Sequence, residues 1–183
     1  MKKILLLLIF FVCSYANFSS KEISEALKMS AIKYNIDKKI LYTIAKIESG
    51  FNSNIIAFIS KKKWIIKGKN IIVKNFKYKN NFLIQVRGDL DSLKKISSIL
   101  IKNGYKIDVG LMQINSQNFK LDELDFIFEP KYNISKSISV LKNCKEKFKI
   151  LKDTVECYNK GTNIGKKYNY YNKFVENYIK DFG

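Results

Sequence analysis

Residues 37–52 read DKKILYTIAKIESGFN, and this stretch decides the fold class of the chain. Its apolar residues recur at helical spacing, with Asp37 as a capping residue before them and Gly50 as a stop after them. They are Ile40, Leu41, Ile44, Ala45 and Ile47. The stretch therefore predicts an amphipathic helix, and at 100° per residue Glu48 falls in the middle of its apolar arc.

Glu48 is unusual because burying an ionised carboxylate without a partner is costly. Burial, the negative end of the helix dipole and the absence of Lys or Arg in the next five residues all favour its protonated form. A Glu held neutral at about pH 6 to 7 can act as the general acid that protonates a glycosidic oxygen. The alternative is a Glu at a frayed helix end that turns to solvent or pairs with a distant Lys.

The composition limits the chemistry that the chain can perform. Its 183 residues are 46% hydrophobic and carry 34 Lys and Arg against 16 Asp and Glu, a net charge of +18. This is enough apolar material for one folded domain. The absence of His excludes Ser-His-Asp and Cys-His nucleophiles and His-containing zinc sites, so a catalyst must be a carboxylate, Lys, Tyr or Cys. We expect neither a metal nor another cofactor.

The first 16 residues have the pattern of a secretory signal peptide. Two lysines precede an apolar run from Ile4 to Val12, and Ser14-Tyr15-Ala16 has the small-x-small form of a cleavage site. The alternative is an uncleaved anchor, but the run is shorter than the roughly 20 residues that span a bilayer. We therefore expect cleavage after Ala16 and an exported domain over residues 17–183, periplasmic or in the cell envelope, with membrane contact only through the signal segment.

Two cysteines, Cys144 and Cys157, remain after that cleavage. In an oxidising compartment they are a disulfide candidate, and the alternative is a pair of buried thiols on neighbouring helices. Without His they are too few for a four-ligand zinc site.

Helical patterns dominate the rest of the expected domain. Ser19 and Glu22 have the spacing of a capping box, which predicts a helix over residues 20–34. Further helices are expected over about 134–148, 153–158 and 166–179. Pro130 is expected to mark the turn before the first of these three.

Residues 56–107 are predicted to form a β-plus-α insertion. Ile71-Ile72-Val73 and the alternation of Phe82, Ile84 and Val86 indicate short strands. Turns are expected at Lys69-Asn70 and Asn80-Asn81. Asp91 is expected to cap a helix that Gly104 ends. The fold class is therefore mainly α, of the α+β type.

Three blocks follow one another along the chain: IESGFN at residues 47–52, GLMQIN at 110–115 and YNKG at 158–161. They resemble the signature blocks of the soluble lytic transglycosylase family, which has a goose-type-lysozyme-like fold. The chain is most similar to the small, single-domain members that accompany type III and type IV secretion and related pilus or conjugation machines. The resemblance covers about residues 20–55 and 108–180 and leaves out the insertion, which lies between the helix of Glu48 and the second block.

The resemblance implies that Glu48 is the sole catalytic acid and base. It implies substrate-binding or groove-shaping positions for Ser49, Met112, Gln113, Asn115, Tyr158 and Asn159. A further Tyr near the C-terminus usually points toward the catalytic Glu in this family; Tyr170 is our choice and Tyr171 the competitor. Cys157 and Lys160 depart from the small residues common around the Tyr-Asn pair, which affects the expected shape of the groove.

The reaction implied by the resemblance is cleavage of the β-1,4 bond between N-acetylmuramic acid and N-acetylglucosamine in peptidoglycan, with formation of a 1,6-anhydro ring. One rival is a hydrolytic lysozyme, which needs a second carboxylate such as Asp108. Another is a non-catalytic basic scaffold that binds the wall, a membrane or nucleic acid. We expect glycan strands as the partner, with a secretion-apparatus protein as a further partner, no nucleic acid, and a monomer.

Overall fold

The computed structural model describes residues 18–68 and 70–183. The expected signal peptide lies outside these residues. The elements follow one another as α1 (Ser20–Tyr34), α2 (Lys38–Ser49), β1 (Ile55–Ser60), β2 (Ile72–Tyr78), β3 (Asn81–Arg87), α3 (Leu90–Lys102), β4 (Ile107–Val109), β5 (Ile114–Asn115), α4 (Pro130–Phe148), α5 (Leu151–Lys160) and α6 (Asn169–Phe182). Short 3₁₀ turns at Ser116–Asn118 and Leu121–Asp125 connect β5 to α4. The α+β fold class is confirmed.

The first two helices begin and end where their sequence signals predict. In α1, the Ser19 hydroxyl accepts from the backbone N–H of Glu22 at 3.2 Å, and the Glu22 carboxylate accepts from the Ser19 N–H at 2.7 Å. In α2, Asp37 accepts from the Lys39 N–H at 2.8 Å, and Gly50 ends the helix at φ +62°. These caps satisfy backbone groups that a helix end otherwise leaves unpaired, so Glu48 lies in a fixed last turn.

The five strands form one antiparallel sheet in the order β2-β3-β1-β4-β5. The segment predicted to be an insertion, residues 56–107, supplies β1, β2, β3 and α3 almost entirely, and β4 joins it to the block at residues 110–115. Strand β1 has no predicted counterpart because five of its six residues are buried, so its sequence shows no polar alternation.

Several predicted boundaries are wrong. The N-cap of α3 is Asp89, which accepts from the Ser92 N–H at 2.9 Å, whereas Asp91 lies in the first turn. The hairpin turn is Lys79-Asn80, and Asn81 already begins β3. Pro130 is not in a turn before α4 but is its first residue, where a missing N–H costs nothing.

The two C-terminal helices also differ from their predicted bounds. Helix α5 extends beyond the expected 153–158 at both ends, and α6 begins at Asn169 rather than near residue 166. The buried side chains of α1, α2, α4, α5 and α6 join those of one sheet face and α3 in a single core. Cys144 of α4 and Cys157 of α5 are joined by a disulfide. Within the described ranges, none of the helices combines the length and apolar character needed to cross a bilayer.

Candidate active site

Glu48 lies in the last turn of α2, half-buried, and its carboxylate accepts a hydrogen bond from the Tyr170 hydroxyl at 2.5 Å. Burial of the carboxyl raises the pKa of Glu48 to about 7. The Tyr170 hydrogen bond and the charge of Lys173 act against this rise, and the charge of Asp108 adds to it. Glu48 therefore holds its proton at a pH where an exposed Glu has lost it.

Tyr170 belongs to the first turn of α6 and is only 7% exposed. Burial raises the pKa of Tyr170 well above its usual value, and the charge of Glu48 adds to the effect. The phenol therefore stays protonated and acts as a donor. Its ring stacks on that of Tyr158, with centroids 6.5 Å apart. The neighbouring Tyr171 uses its backbone N–H on Glu156 and stacks its ring on Phe174, so the structure places Tyr170, not Tyr171, against Glu48.

Tyr158, on α5, ties that helix to the second sequence block. Its hydroxyl donates to the backbone carbonyl of Met112 at 2.7 Å. Burial raises the pKa of Tyr158 well above its usual value, with the charge of Glu48 as a further cause. The adjacent Asn159 is exposed. Tyr158 therefore forms one wall of the Glu48 site through its ring and fixes the backbone of the turn at Met112.

The turn at residues 110–113 has a compact geometry that requires glycine at its start. Gly110 has φ +78°, and a Cβ there would lie 2.6 Å from Nδ2 of Asn133. Asn133 is fully buried on α4; its Nδ2 donates to the carbonyls of Val109 and Ile127, and its Oδ1 accepts from the Met112 N–H at 2.7 Å. Asn133 was missed in the sequence, because it precedes the helix predicted from residue 134, whereas the helix begins at Pro130.

Ser49 and Met112, implied by the resemblance to meet the substrate, face the protein interior. The Ser49 hydroxyl donates to the Leu111 carbonyl at 2.7 Å and accepts from the Asn52 N–H at 3.1 Å. Met112 is 0% exposed and belongs to the core. The Ser49 hydroxyl therefore joins the Glu48 helix to the turn, whereas the backbone of Met112 joins the turn to α4 and α5. Gln113 is half-buried at φ +47°, and its side-chain amide donates to the Gly110 carbonyl at 2.8 Å.

A second carboxylate, Asp108 on β4, lies close enough for its charge to act on Glu48. The side-chain amide of Asn115 donates to Asp108 at 2.8 Å, and the Asn115 oxygen accepts from the Gln117 N–H at 3.1 Å. Burial raises the pKa of Asp108, and the Asn115 hydrogen bond opposes that rise. Asn115 therefore holds the second carboxylate in place beside the first.

The comparison with protein families matches the chain to one of them. The model of the transglycosylase SLT domain matches residues 25–180, a range that includes the insertion. The chain belongs to the SLT domain family. Comparison with curated proteins and with solved structures found no match. Membership indicates a transglycosylase that acts on peptidoglycan.

This SLT domain also has an ion pair next to its third block, between the buried Glu156 and the exposed Lys160, which the sequence prediction missed. Glu156 is 0% exposed, and Lys160 lies 2.6 Å from its Oε1. The other oxygen, Oε2, accepts from the Tyr171 N–H at 2.8 Å. The Lys160 ammonium also donates to the carbonyls of Ile164 and Lys167. The i, i+4 spacing of an acid and a base was the available sequence signal.

Among residues 18–68 and 70–183, no group of three or more His, Cys, Asp or Glu side chains could hold a metal ion. The groups that the SLT domain brings together around Glu48 are two carboxyls and two phenols. Glu48 and Tyr170 are in direct contact, Tyr158 stacks on Tyr170, and Asp108 acts on Glu48 through its charge.

Proposed function

We propose that this SLT domain is a lytic transglycosylase that cleaves the β-1,4 bond between N-acetylmuramic acid and N-acetylglucosamine in peptidoglycan. The observation that carries the proposal is the Glu48 carboxyl, whose pKa is raised to about 7 by burial and which the Tyr170 hydroxyl holds at 2.5 Å. A general acid works best when its pKa lies near the working pH.

The mechanism uses Glu48 twice. As the carboxylic acid it donates its proton to the glycosidic oxygen, and the bond from that oxygen to the muramyl C1 breaks. As the resulting carboxylate it takes the proton of the muramyl C6 hydroxyl, whose oxygen bonds to C1 and closes a 1,6-anhydro ring. Glu48 is thereby returned to its protonated state, and no water is consumed. The tethered C6 hydroxyl has the advantage of proximity over a water molecule.

Tyr170 acts on both states of Glu48. Its hydroxyl remains a donor, so it stabilises the carboxylate that forms after the first proton transfer. The same hydrogen bond limits how far burial raises the pKa, because it favours the charged form. We propose that Tyr170 keeps the carboxylic acid strong enough to donate its proton, while burial keeps the carboxylate basic enough to take the proton of the C6 hydroxyl.

Hydrolysis is the second candidate, and Asp108 is the observation that favours it. A second carboxylate beside the acid could activate water or attack the sugar, as in two-carboxylate glycosidases. Burial raises the pKa of Asp108, however, and its oxygen is bonded to Asn115. The hydrogen bond from Asn115 occupies one oxygen of Asp108, and ring closure needs no carboxylate besides Glu48, so we favour ring closure.

The test is digestion of purified peptidoglycan with residues 17–183, followed by mass spectrometry of the products. Muropeptides lighter by one water than hydrolytic products support ring closure, and ordinary reducing ends support hydrolysis. Glu48→Gln should abolish release while its circular dichroism stays unchanged. Glu146→Gln, at an exposed position on α4, is the matched control and should keep full activity. Release by Glu48→Gln at the rate of the parent would contradict the assignment.

The cellular setting completes the proposal. Because peptidoglycan lies outside the cytoplasm, we propose that residues 1–16 direct export and are removed after Ala16. We further propose local wall remodelling around a secretion or similar envelope apparatus, with the domain acting as a monomer. N-terminal sequencing of the exported protein tests the cleavage, and a full-length N-terminus would contradict it.

A further inference from the structure

A row of paired residues crosses the sheet from the Glu48 site to its outer edge. Asp108 pairs with Ala57, Ala57 with Gln85, and Gln85 with Lys74. Directly paired residues project to the same face of a sheet. The row therefore begins at the carboxylate whose charge acts on Glu48 and ends on the edge strand β2. With about 4.8 Å between strands, it extends over roughly 14 Å.

The neighbouring rows place apolar and cationic side chains on the same face. One row pairs Ile59 with Leu83 and Leu83 with Phe76, and another pairs Arg87 with Ile72. Phe76 is 45% exposed and Ile72 is 59% exposed. We call this surface the outer face, defined by Ile72, Lys74, Phe76, Tyr78, Gln85 and Arg87. The alternating residues of the opposite face, such as Ile84 and Val86, are buried in the core.

The outer face lies in the most basic part of the sequence. Residues 49–88 contain nine Lys or Arg and no Asp or Glu. Lys74 is exposed, whereas Arg87 is half-buried, and its Nε atom is buried with no hydrogen-bond partner within the described ranges. With no acidic side chain in the segment to neutralise it, this surface attracts anions.

We propose that the outer face extends the substrate-binding surface of this SLT domain and binds the glycan strand with its anionic stem peptides beyond the bond at Glu48. The inference rests on the proposed function. Phe76 and Tyr78 offer aromatic rings for the apolar faces of sugar rings, and Gln85 offers an amide for hydroxyl groups. Lys74 and Arg87 pair with the carboxylates of stem peptides.

A glycan strand fits this face better than a bilayer or a second copy of the chain. Lys74 lies between Ile72 and Phe76 along β2, and the apolar row of Ile59, Leu83 and Phe76 is one strand-crossing row beside the polar pair of Gln85 and Lys74, so the face alternates apolar and polar rows. The row from Lys74 also leads directly to Asp108 beside Glu48, so a bilayer or a second protomer on the face would block the polymer at that end of the site. An extended polyanionic strand can follow the row to the acid.

The experiment measures binding of the Glu48→Gln chain to purified peptidoglycan sacculi by co-sedimentation. The outer-face variant adds Lys74→Gln and Phe76→Ser. The matched control adds Lys77→Gln, on the opposite face of β2, and Phe126→Ser, an exposed Phe far along the chain. We expect the outer-face variant to weaken binding about tenfold and the control to leave it unchanged. In the chain that keeps Glu48, the substitutions Lys74→Gln and Phe76→Ser should raise KM for intact glycan strands more than they lower kcat.

The outcomes separate this inference from the proposed function. If the parent releases anhydro-muropeptides and the outer-face variant binds sacculi as tightly as the control, the inference is overturned and the proposed function stands. If the outer face is needed for binding but the parent releases no products, the proposed function fails and the inference stands. Gln85→Ala repeats the test should the double variant not fold.

Two other occupants give distinct results. Loss of binding to phosphatidylglycerol vesicles in the outer-face variant, with binding to sacculi retained, would overturn the inference in favour of a membrane. Suppose that analytical ultracentrifugation gives the parent twice the mass of one chain and the outer-face variant the mass of one chain. That result would overturn the inference in favour of a second copy of the chain.

Discussion

The Tyr170 hydroxyl donates to Oε1 of Glu48 at 2.5 Å, and the two residues are 122 positions apart in the sequence. The contact joins the last turn of α2 to the first turn of α6, two helices that pack directly on each other. Glu48 and the hydroxyl that lowers its pKa therefore come from distant parts of the chain. The site is complete only when α2 and α6 are packed together.

Tyr170→Phe tests that contact. Because the hydrogen bond lowers the pKa of Glu48, its loss should raise that pKa further, and the alkaline limb of kcat/KM should move up by about one pH unit. The rate should also fall, since the carboxylate that forms in the reaction loses a donor. Tyr171→Phe is the control, because Tyr171 bonds through its backbone N–H. Superimposable pH profiles of Tyr170→Phe and the parent would contradict the role of Tyr170.

The raised pKa of Glu48 also predicts how stability depends on pH. Its value of about 7 in the folded state lies above the ordinary 4.5, so the folded state binds the proton more tightly than the unfolded chain. Below pH 4.5 both states are protonated and there is no penalty. As the pH rises through 7 the folded protein loses up to about 3 kcal/mol from this group. Glu48→Gln should therefore be more stable than the parent at pH 8 and nearly equal at pH 4.5. Urea unfolding at the two pH values measures this, and a difference independent of pH would refute it.

Much of the catalytic helix could be predicted because its signals are local. The capping residue Asp37, the stop at Gly50 and the placement of Glu48 on the apolar arc all depend on residues within one helix. The structure agrees with each of them. The resemblance then indicated Tyr170 as the residue beside Glu48, with Tyr171 as an alternative that local spacing could not exclude.

The parts that could not be predicted depend on contacts between distant elements. The bonds of Asn133 to the backbone of the turn at Met112 arise only when α4 packs on the sheet. Strand β1 is buried on both faces, so it lacks the alternation that identifies a strand. The row from Asp108 to Lys74 depends on the pairing register of four strands, and the sequence alone does not specify that register.

Asn133→Ala should destabilise the domain strongly. The substitution removes one acceptor and two donor bonds, so the buried Met112 N–H and the carbonyls of Val109 and Ile127 lose these partners. We expect a loss of about 3 kcal/mol in the free energy of unfolding and a drop in activity. Asn143→Ala, exposed on the same helix, should change neither. Chemical denaturation with an activity assay well below the melting temperature measures both quantities. Equal stabilities of the two variants would contradict the role of Asn133.

The Cys144–Cys157 disulfide should contribute to stability because it closes a loop of 13 residues between α4 and α5. In the chain-entropy model, reducing it costs about 3 kcal/mol. We expect a lower Tm in dithiothreitol than without it. The double variant Cys144→Ser, Cys157→Ser should have the low Tm in both conditions. A Tm that does not respond to reduction in the parent would show that the bond is dispensable.

The Glu156–Lys160 pair should position Tyr170 through the backbone of its neighbour. Lys160→Met leaves Glu156 buried without its cation and frees the carbonyls of Ile164 and Lys167, so we expect a loss of about 3 kcal/mol in stability. Glu156 also accepts the Tyr171 N–H at the start of α6, so a shift there displaces the Tyr170 phenol from Glu48 and should lower kcat.

The control for this pair is Lys166→Met, an exposed lysine in the same loop, which should leave kcat and stability unchanged. Adding Glu156→Gln to Lys160→Met should recover stability, because no uncompensated charge then remains buried. It should recover less of kcat, since a neutral amide holds the Tyr171 N–H more weakly than a carboxylate does. A double variant that regains stability and full kcat together would show that the pair supports only the fold.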